Sequence, residues 1–375
     1  MRAIVRLVGV ALLLASGCED VQESPETREA PVPEPVVAVR EPVAVVPAEP
    51  VVPVAEPSGL APLSAEQRVL LTAGAEERII SRREHFTVSN EYRHDLWFPY
   101  LRGLGGIHVG VASDQNYTLM AVAGSELGYL IDLDRQVVRL HRVYMALIDA
   151  SPDPDVFLGR FDAKAQAETR TLIEAGLADM AEVDRVAAQK FVADNREALR
   201  AYLGDVHTPP HSAHGGTWLS DPKLYEHMRQ MVAGGRLRPI NGNLAGKTAM
   251  ATIAAGARAL ELPITVLYLS NAEEYLSYTS EFVDNVRGLP GDDRSILLRT
   301  IHDRFEGWEA CGEGDRRWNY QVQPLADFQQ RLADRKNNAR TAMLARATRD
   351  DAIDRVARGV SVFKKGPKAE PALVR

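Results

Sequence analysis

The chain has 375 residues, 45% of them hydrophobic and 25% charged, which is the ordinary balance of a globular protein. Its net charge of -7, without a basic stripe to neutralise phosphates, sets nucleic acid aside as a partner. Cysteine occurs only at Cys18 and Cys311, so a disulfide framework is excluded. The stretch 61–334 is long enough for one α/β domain with an insertion and too short for two comfortable ones.

Taken in chain order, a basic start at Arg2 and Arg6 precedes an apolar run from Leu7 to Leu14, then Ala15, Ser16, Gly17 and Cys18. The run is too short to cross a bilayer as a mature helix. This pattern resembles a bacterial lipoprotein signal peptide. The resemblance implies that residues 1–17 are removed, that Cys18 carries a lipid, and that the mature protein is exported and anchored to a membrane of the cell envelope. Residues 18–60 alternate Pro, Val, Glu and Ala, a composition that cannot build a packed element and reads as an extended spacer. Helical spacing follows from Ser64 to Arg83. A second helix is expected from Asn90 to Leu101, with Asn90 as its cap.

The most informative stretch runs from Gly105 to Ile148: a strand, a tight polar turn, a short helix, a second strand ending in acid, and a long helix. Gly110, Ala112, Ser113 and Asp114 close the first strand, while Asp132 and Asp134 close the second. That places small residues and carboxylates on one edge of a parallel sheet, where open α/β sheets bind ligands. Residues 152–204 read as a helical insertion. Further strands are expected at Arg236–Ile240, Pro263–Leu269, Ser295–Ile301 and Trp318–Val322, alternating with helices until Tyr320, and a charged tail at 335–375. Alternation of this kind means a mostly parallel sheet with helices on both faces.

Several residue types in these positions can carry chemistry. Asp132 can accept hydrogen bonds from a ribose diol, and Asp134 can cap the following helix. Ser270 and Asn271 suit either a polar pocket or a helix cap, and Glu273 and Glu274 are either bases, if buried, or acids of a first helical turn. Asp205, His207, His211 and His214 are metal-ligand types, but their spacing matches no zinc motif, and no metal is expected. Cys311 has no neighbouring His or Lys to activate it and reads as a structural thiol. His141 reads as a packed histidine.

The order of elements is similar to the Rossmann-like fold of S-adenosylmethionine-dependent methyltransferases. That resemblance implies S-adenosylmethionine as a possible cofactor, with the turn Gly110 to Asp114, including Ser113, near its methionine moiety. It further implies Asp132 at the ribose, Asn243 at the adenine, and Ser270 and Asn271 facing the methyl group, with Asn271 and Glu274 as candidate catalytic residues. His108 stands where that family often has an acid, and Ala112 replaces a glycine. The combination of SNE, GVASDQN and YLSNAEEYL also resembles a family of largely uncharacterised exported bacterial proteins that share this fold. The expected function is therefore binding of a small, nucleoside-type ligand by a lipid-anchored protein. Active methyl transfer and a non-catalytic role at the envelope are the alternatives, since S-adenosylmethionine is made in the cytoplasm.

Overall fold

A computed structural model describes residues 60–364, except 78, 80–84, 209–214, 306 and 313–314. The signal-peptide segment, Cys18, the spacer up to residue 59, His211, His214 and the tail beyond 364 lie outside the described residues.

Helix α1 (Ala65–Thr72) opens on a capping box in which the Ser64 hydroxyl and the Gln67 amide satisfy each other's backbone. It stops well short of Arg83. Asn90 caps no helix either: a single 3-10 turn at His94–Trp97 leads into the four-residue α2 (Phe98–Leu101), and Pro99 fills its first turn. Then come β1 (Ile107–Gly110), α3 (Gln115–Ala123), β2 (Leu127–Asp132) and α4 (Arg135–Asp149), and Asp134 caps α4 through the Gln136 amide. The helices α5 (Pro154–Gly159), α6 (Gln166–Gly176) and α7 (Glu182–His207) follow without an intervening strand.

The alternating pattern resumes with α8 (Pro222–Ala233), β3 (Leu237–Asn241), α9 (Ala249–Ala259), β4 (Ile264–Ser270), α10 (Ser280–Arg287) and β5 (Ile296–His302). Next are β6 (Trp318–Pro324), α11 (Leu325–Leu332), α12 (Arg340–Arg349), β7 (Ile353–Ala357) and β8 (Val360–Phe363). The strands form one sheet in the order β3-β2-β1-β4-β5-β6-β8-β7. Strands β1 to β5 are parallel, β6 runs antiparallel to β5, and the β7–β8 hairpin extends the far edge. Pro239 sits in β3, an edge strand, where a missing amide is tolerated. The fold is a Rossmann-like α/β sheet, mostly parallel, with helices on both faces.

Alternation along the strands divides the core. Ile107, Val109, Leu267 and Leu269 pack with residues of α1, α9, α10, α11 and α12 on one face. On the other, Leu130 packs with α3, α4 and α8, and Val266 and Tyr268 pack with Trp97, Phe98 and Leu119. The helices α5 to α7 add a further layer on α4.

Residues 335–364 of the segment expected to be a charged tail are folded. Met343, Leu344 and Ala347 of α12 enter the main core, as does Phe363 of β8, and the Arg340 guanidinium is buried against Glu274 and the Thr300 carbonyl. A high charge content reads as a solvated helix, yet one of those charges finds a buried carboxylate here. We expect a chain ending at Asp334 to lose cooperative thermal unfolding. Each large apolar side chain withdrawn from the core costs about 1.5–3 kcal/mol, against a net stability of about 5–15 kcal/mol for a domain. A calorimetric transition unchanged by the truncation would contradict this account.

Candidate functional site

Chain order turns around between β1 and β4: β2 and β3 lie to one side of β1, and β4 and β5 to the other. The carboxyl ends of these two strands therefore bound the crevice in which open α/β sheets take ligands. Backbone conformation marks the same place. Among the described residues, four non-glycine residues have a left-handed backbone, and two of them, Glu261 and Asp351, directly follow helix C-caps, where that conformation is common. The other two are Ala112, at φ +67° just after β1, and Ser270, at φ +50° at the end of β4. Such strain persists only where surrounding contacts over-determine it.

Those contacts are visible. The Ala112 amide donates to Asp132 Oδ2 at 3.0 Å, and its carbonyl accepts from His141 Nε2 at 2.8 Å. His141 Nδ1 in turn accepts from the Tyr117 hydroxyl at 2.8 Å, which fixes the neutral Nε2–H tautomer. Beneath the turn, His108 Nε2 donates to Asn116 Oδ1 at 2.9 Å, and Asn116 Nδ2 donates to the Val111 and Ser113 carbonyls. A Cβ at Gly110 would lie 1.8 Å from Asn116 Oδ1, so this glycine is needed for internal packing. Burial pushes both His108 and His141 down to about 4.

Ser270 is held by a carboxylate that the helix-cap reading of SNE hid. Glu91 is buried and accepts from Ser270 Oγ at 2.5 Å, the Tyr268 hydroxyl at 2.6 Å and Thr300 Oγ1 at 2.7 Å, while His94 Nε2 lies 3.5 Å away. Burial opposes its ionisation, but His94 and the Ser270 and Tyr268 hydroxyls outweigh that and leave its pKa lowered. Ser89 Oγ accepts from the Glu91 amide at 3.1 Å, so SNE forms a local turn. The three motifs SNE, GVASDQN and YLSNAEEYL meet here, because Gln115 Nε2 donates to the Tyr268 hydroxyl at 3.3 Å. Their grouping was the one signal in the sequence that pointed to Glu91.

Beside Glu91 lies a small cavity of about 30 Å³, room for about one water-sized group. Its lining includes Glu91, His94, Asp95, Asp114, Gln115 and Tyr202. Asp114 is buried and accepts from the Tyr202 hydroxyl at 2.8 Å and Trp218 Nε1 at 3.0 Å; burial raises its pKa despite these bonds. Ser113 Oγ donates to the Thr87 carbonyl at 2.7 Å. Two polar atoms of residues in this lining are buried without a hydrogen-bond partner among the described residues: His94 Nε2, which stays 3.5 Å from Glu91, and Gln115 Oε1. The Tyr268 hydroxyl hydrogen goes to Glu91, so the Gln115 amide presents N–H to Tyr268 and leaves its Oε1 as the orphan.

The remaining expected site residues are used within the chain. Asp132 accepts from the Ala112 and Asp134 amides, and burial pushes it up to about 6 although those bonds oppose the shift. Asn243 accepts from the Ala245 amide at 2.9 Å, and its own amide donates to Glu77 at 2.7 Å. The last residue of β3 is Asn241, whose side chain donates to the Asp132 and Leu133 carbonyls. Asn271 makes no cap to the 3-10 turn that follows it. Glu274 is paired with Arg304 at 2.6 Å and Arg340 at 3.2 Å, and Glu273 with Arg299 at 3.2 Å, so these acids hold the sheet to its neighbours and are neither helix-dipole acids nor open bases. As arranged, with Asp132 and Asn243 turned to backbone amides and Gly110 packed against Asn116, these residues do not fit S-adenosylmethionine.

Elsewhere, His207 Nδ1 donates to the Leu219 carbonyl at 2.6 Å. Cys311 Sγ donates to the Asp315 carbonyl at 3.1 Å, and burial pushes the thiol up to about 11. Among the described residues, no helix is long and apolar enough to cross a membrane.

Residues 86–364 match the model of the family described as Domain of unknown function (DUF7790), and the chain belongs to that family. No curated protein sequence matches it. Among solved structures, the rRNA methyltransferase aviRa from Streptomyces viridochromogenes is similar over 66% of this chain and 87% of that one, at 10% identity and a TM-score of 0.26. A likeness at that score carries no argument about activity.

Two predictions follow from the turn. Ala112→Gly removes a left-handed penalty of about 1–2 kcal/mol while adding unfolded-chain entropy of about 0.4–1 kcal/mol, so a net gain of about 1 kcal/mol is expected in denaturant melts. A loss of stability would refute the strain. The second concerns pH. The folded state holds His108 and His141 neutral down to about 4, against an ordinary 6.5, so it binds fewer protons than the unfolded chain and loses stability as pH falls through that window. Asp132, raised from 3.8 to about 6, acts oppositely and gains stability as pH falls. Asp132→Asn should therefore steepen the loss between pH 6 and pH 4, by up to about 1.4 kcal/mol per pH unit. A shallower curve would be the wrong sign.

Proposed function

We propose that this protein binds a small, hydroxyl- or amine-bearing ligand of nucleoside type in the crevice between β1 and β4, and that it does so as an exported protein anchored through lipid on Cys18. The observation that carries the ligand reading is the Oε1 of Gln115, a residue lining the cavity beside Glu91, which is orphaned among the described residues. A buried acceptor without a partner is costly, so the site calls for a donor. The carboxylates of Glu91, Asp95 and Asp114 in the same lining favour donors further.

The cavity admits one group of a ligand, such as a sugar hydroxyl, and the rest of the molecule would lie outside it. Leu133 after β2 and Tyr275 after β4, both more than half exposed, stand at this carboxyl edge and offer apolar surface to a base. Methyl transfer is the less favoured reading, because Asp132 and Asn243 already serve backbone amides.

Calorimetry of the purified chain against adenosine, ribose and S-adenosylmethionine tests the ligand. Saturable binding of adenosine, weakened about tenfold by Gln115→Met through loss of one hydrogen bond of about 1.4 kcal/mol, is the expected result. No binding of any of the three at millimolar concentration would sink it, and binding of S-adenosylmethionine alone would restore the methyltransferase reading. The anchor is tested separately in cells. Cys18→Ser should move the protein from the membrane fraction to the soluble fraction, and an unchanged distribution would refute lipidation.

A further inference from the structure

Away from the sheet edge, α6 and α7 and the end of α5 enclose a cavity of about 310 Å³, ten times the volume of the one beside Glu91. Its walls are largely apolar: Phe161, Ile173 and Val192 are buried side chains of the helical layer and line it directly. Apolar surface continues outward along α7, where Val186 also lines the cavity and is 56% exposed. A volume of this size suits a small organic ligand.

The charged residues that line this space are all basic: Arg160, Arg170, Lys190 and Arg196. Three of these cations are paired with carboxylates outside the lining: Arg160 with Glu168, Lys190 with Asp194 and Arg196 with Glu197, while Arg160 and Arg196 also reach the Ala150 and Phe161 carbonyls. Arg170 has no partner among the described residues. Long cationic stems often lie on apolar surface with their heads in water. Here they surround a pocket that has room for a chain.

We propose that this cavity binds a fatty carboxylate, with its acyl chain against Phe161, Ile173 and Val192 and its carboxylate at Arg170 and Lys190. An acyl chain matches the wall because its methylenes leave water for apolar surface there. A carboxylate matches the rim because it can take a bidentate pair from an unengaged guanidinium. The cavity shares no lining residue with the one beside Glu91.

The experiment is titration of the purified chain with dodecanoate, dodecyltrimethylammonium and acetate, read by calorimetry. Saturable one-to-one binding of dodecanoate is expected, with the ammonium amphiphile and acetate each at least about tenfold weaker. Arg170 and Ala193 are both exposed, so Arg170→Glu and Ala193→Trp should fold normally. The first should weaken dodecanoate about tenfold by reversing charge at the mouth, and the second by filling the cavity. The proposal is overturned if dodecanoate does not saturate, if the cationic amphiphile binds equally well, or if both variants bind as the parent does.

Discussion

A single buried carboxylate organises the crevice. Glu91 lies among apolar residues and hydroxyls of the sheet, where an unpaired charge would cost several kcal/mol, and it is held by three O–H donors with His94 beside it. Those donors belong to β4 and β5, so the chain segment before β1 is fixed to strands on the far side of the switch point. The same carboxylate sets proton directions. By taking the Tyr268 hydrogen it obliges Gln115 to donate to Tyr268, and so leaves Gln115 Oε1 facing no protein donor. The polarity of the cavity wall is a consequence of the Glu91 network.

The two left-handed residues beside the crevice are secured by different means. Ala112 is held through its backbone alone, by Asp132 on one side and His141 on the other. Ser270 is held by its side chain on Glu91. A turn fixed through peptide groups tolerates a change of side chain, whereas one fixed through a hydroxyl does not. Asp132 therefore has a structural use that competes with any ligand contact. Its two oxygens each receive an amide, and one of those amides belongs to the strained turn.

Strands β1 to β6 were legible in the sequence as apolar runs between helical stretches, whereas β7 and β8 lie in a charged segment whose composition gives no strand signal. Strand ends such as Gly110 and Asp132 follow from where apolar runs meet small or acidic residues. Glu91 was hidden because a Ser-Asn-Glu triplet has the composition of a helix opening, and its partners lie 177 to 209 residues away. The backbone amides that Asp132 and Asn243 serve leave no mark in side-chain composition, so this structural use is not legible in the sequence. The same holds for residues 335–364: counting charges cannot show that Arg340 pairs with the buried Glu274 carboxylate while Met343, Leu344, Ala347 and Phe363 enter the core.

Helix α7 connects the two candidate sites physically. Tyr202 near its end donates to Asp114 beside the crevice, and Val192, ten residues earlier, lines the apolar cavity. At a rise of about 1.5 Å per residue these positions are about 15 Å apart along one continuous helix. Tyr202 holds one oxygen of Asp114 and Trp218, outside α7, holds the other, so the carboxylate beside the crevice is fixed from two separate segments of the chain.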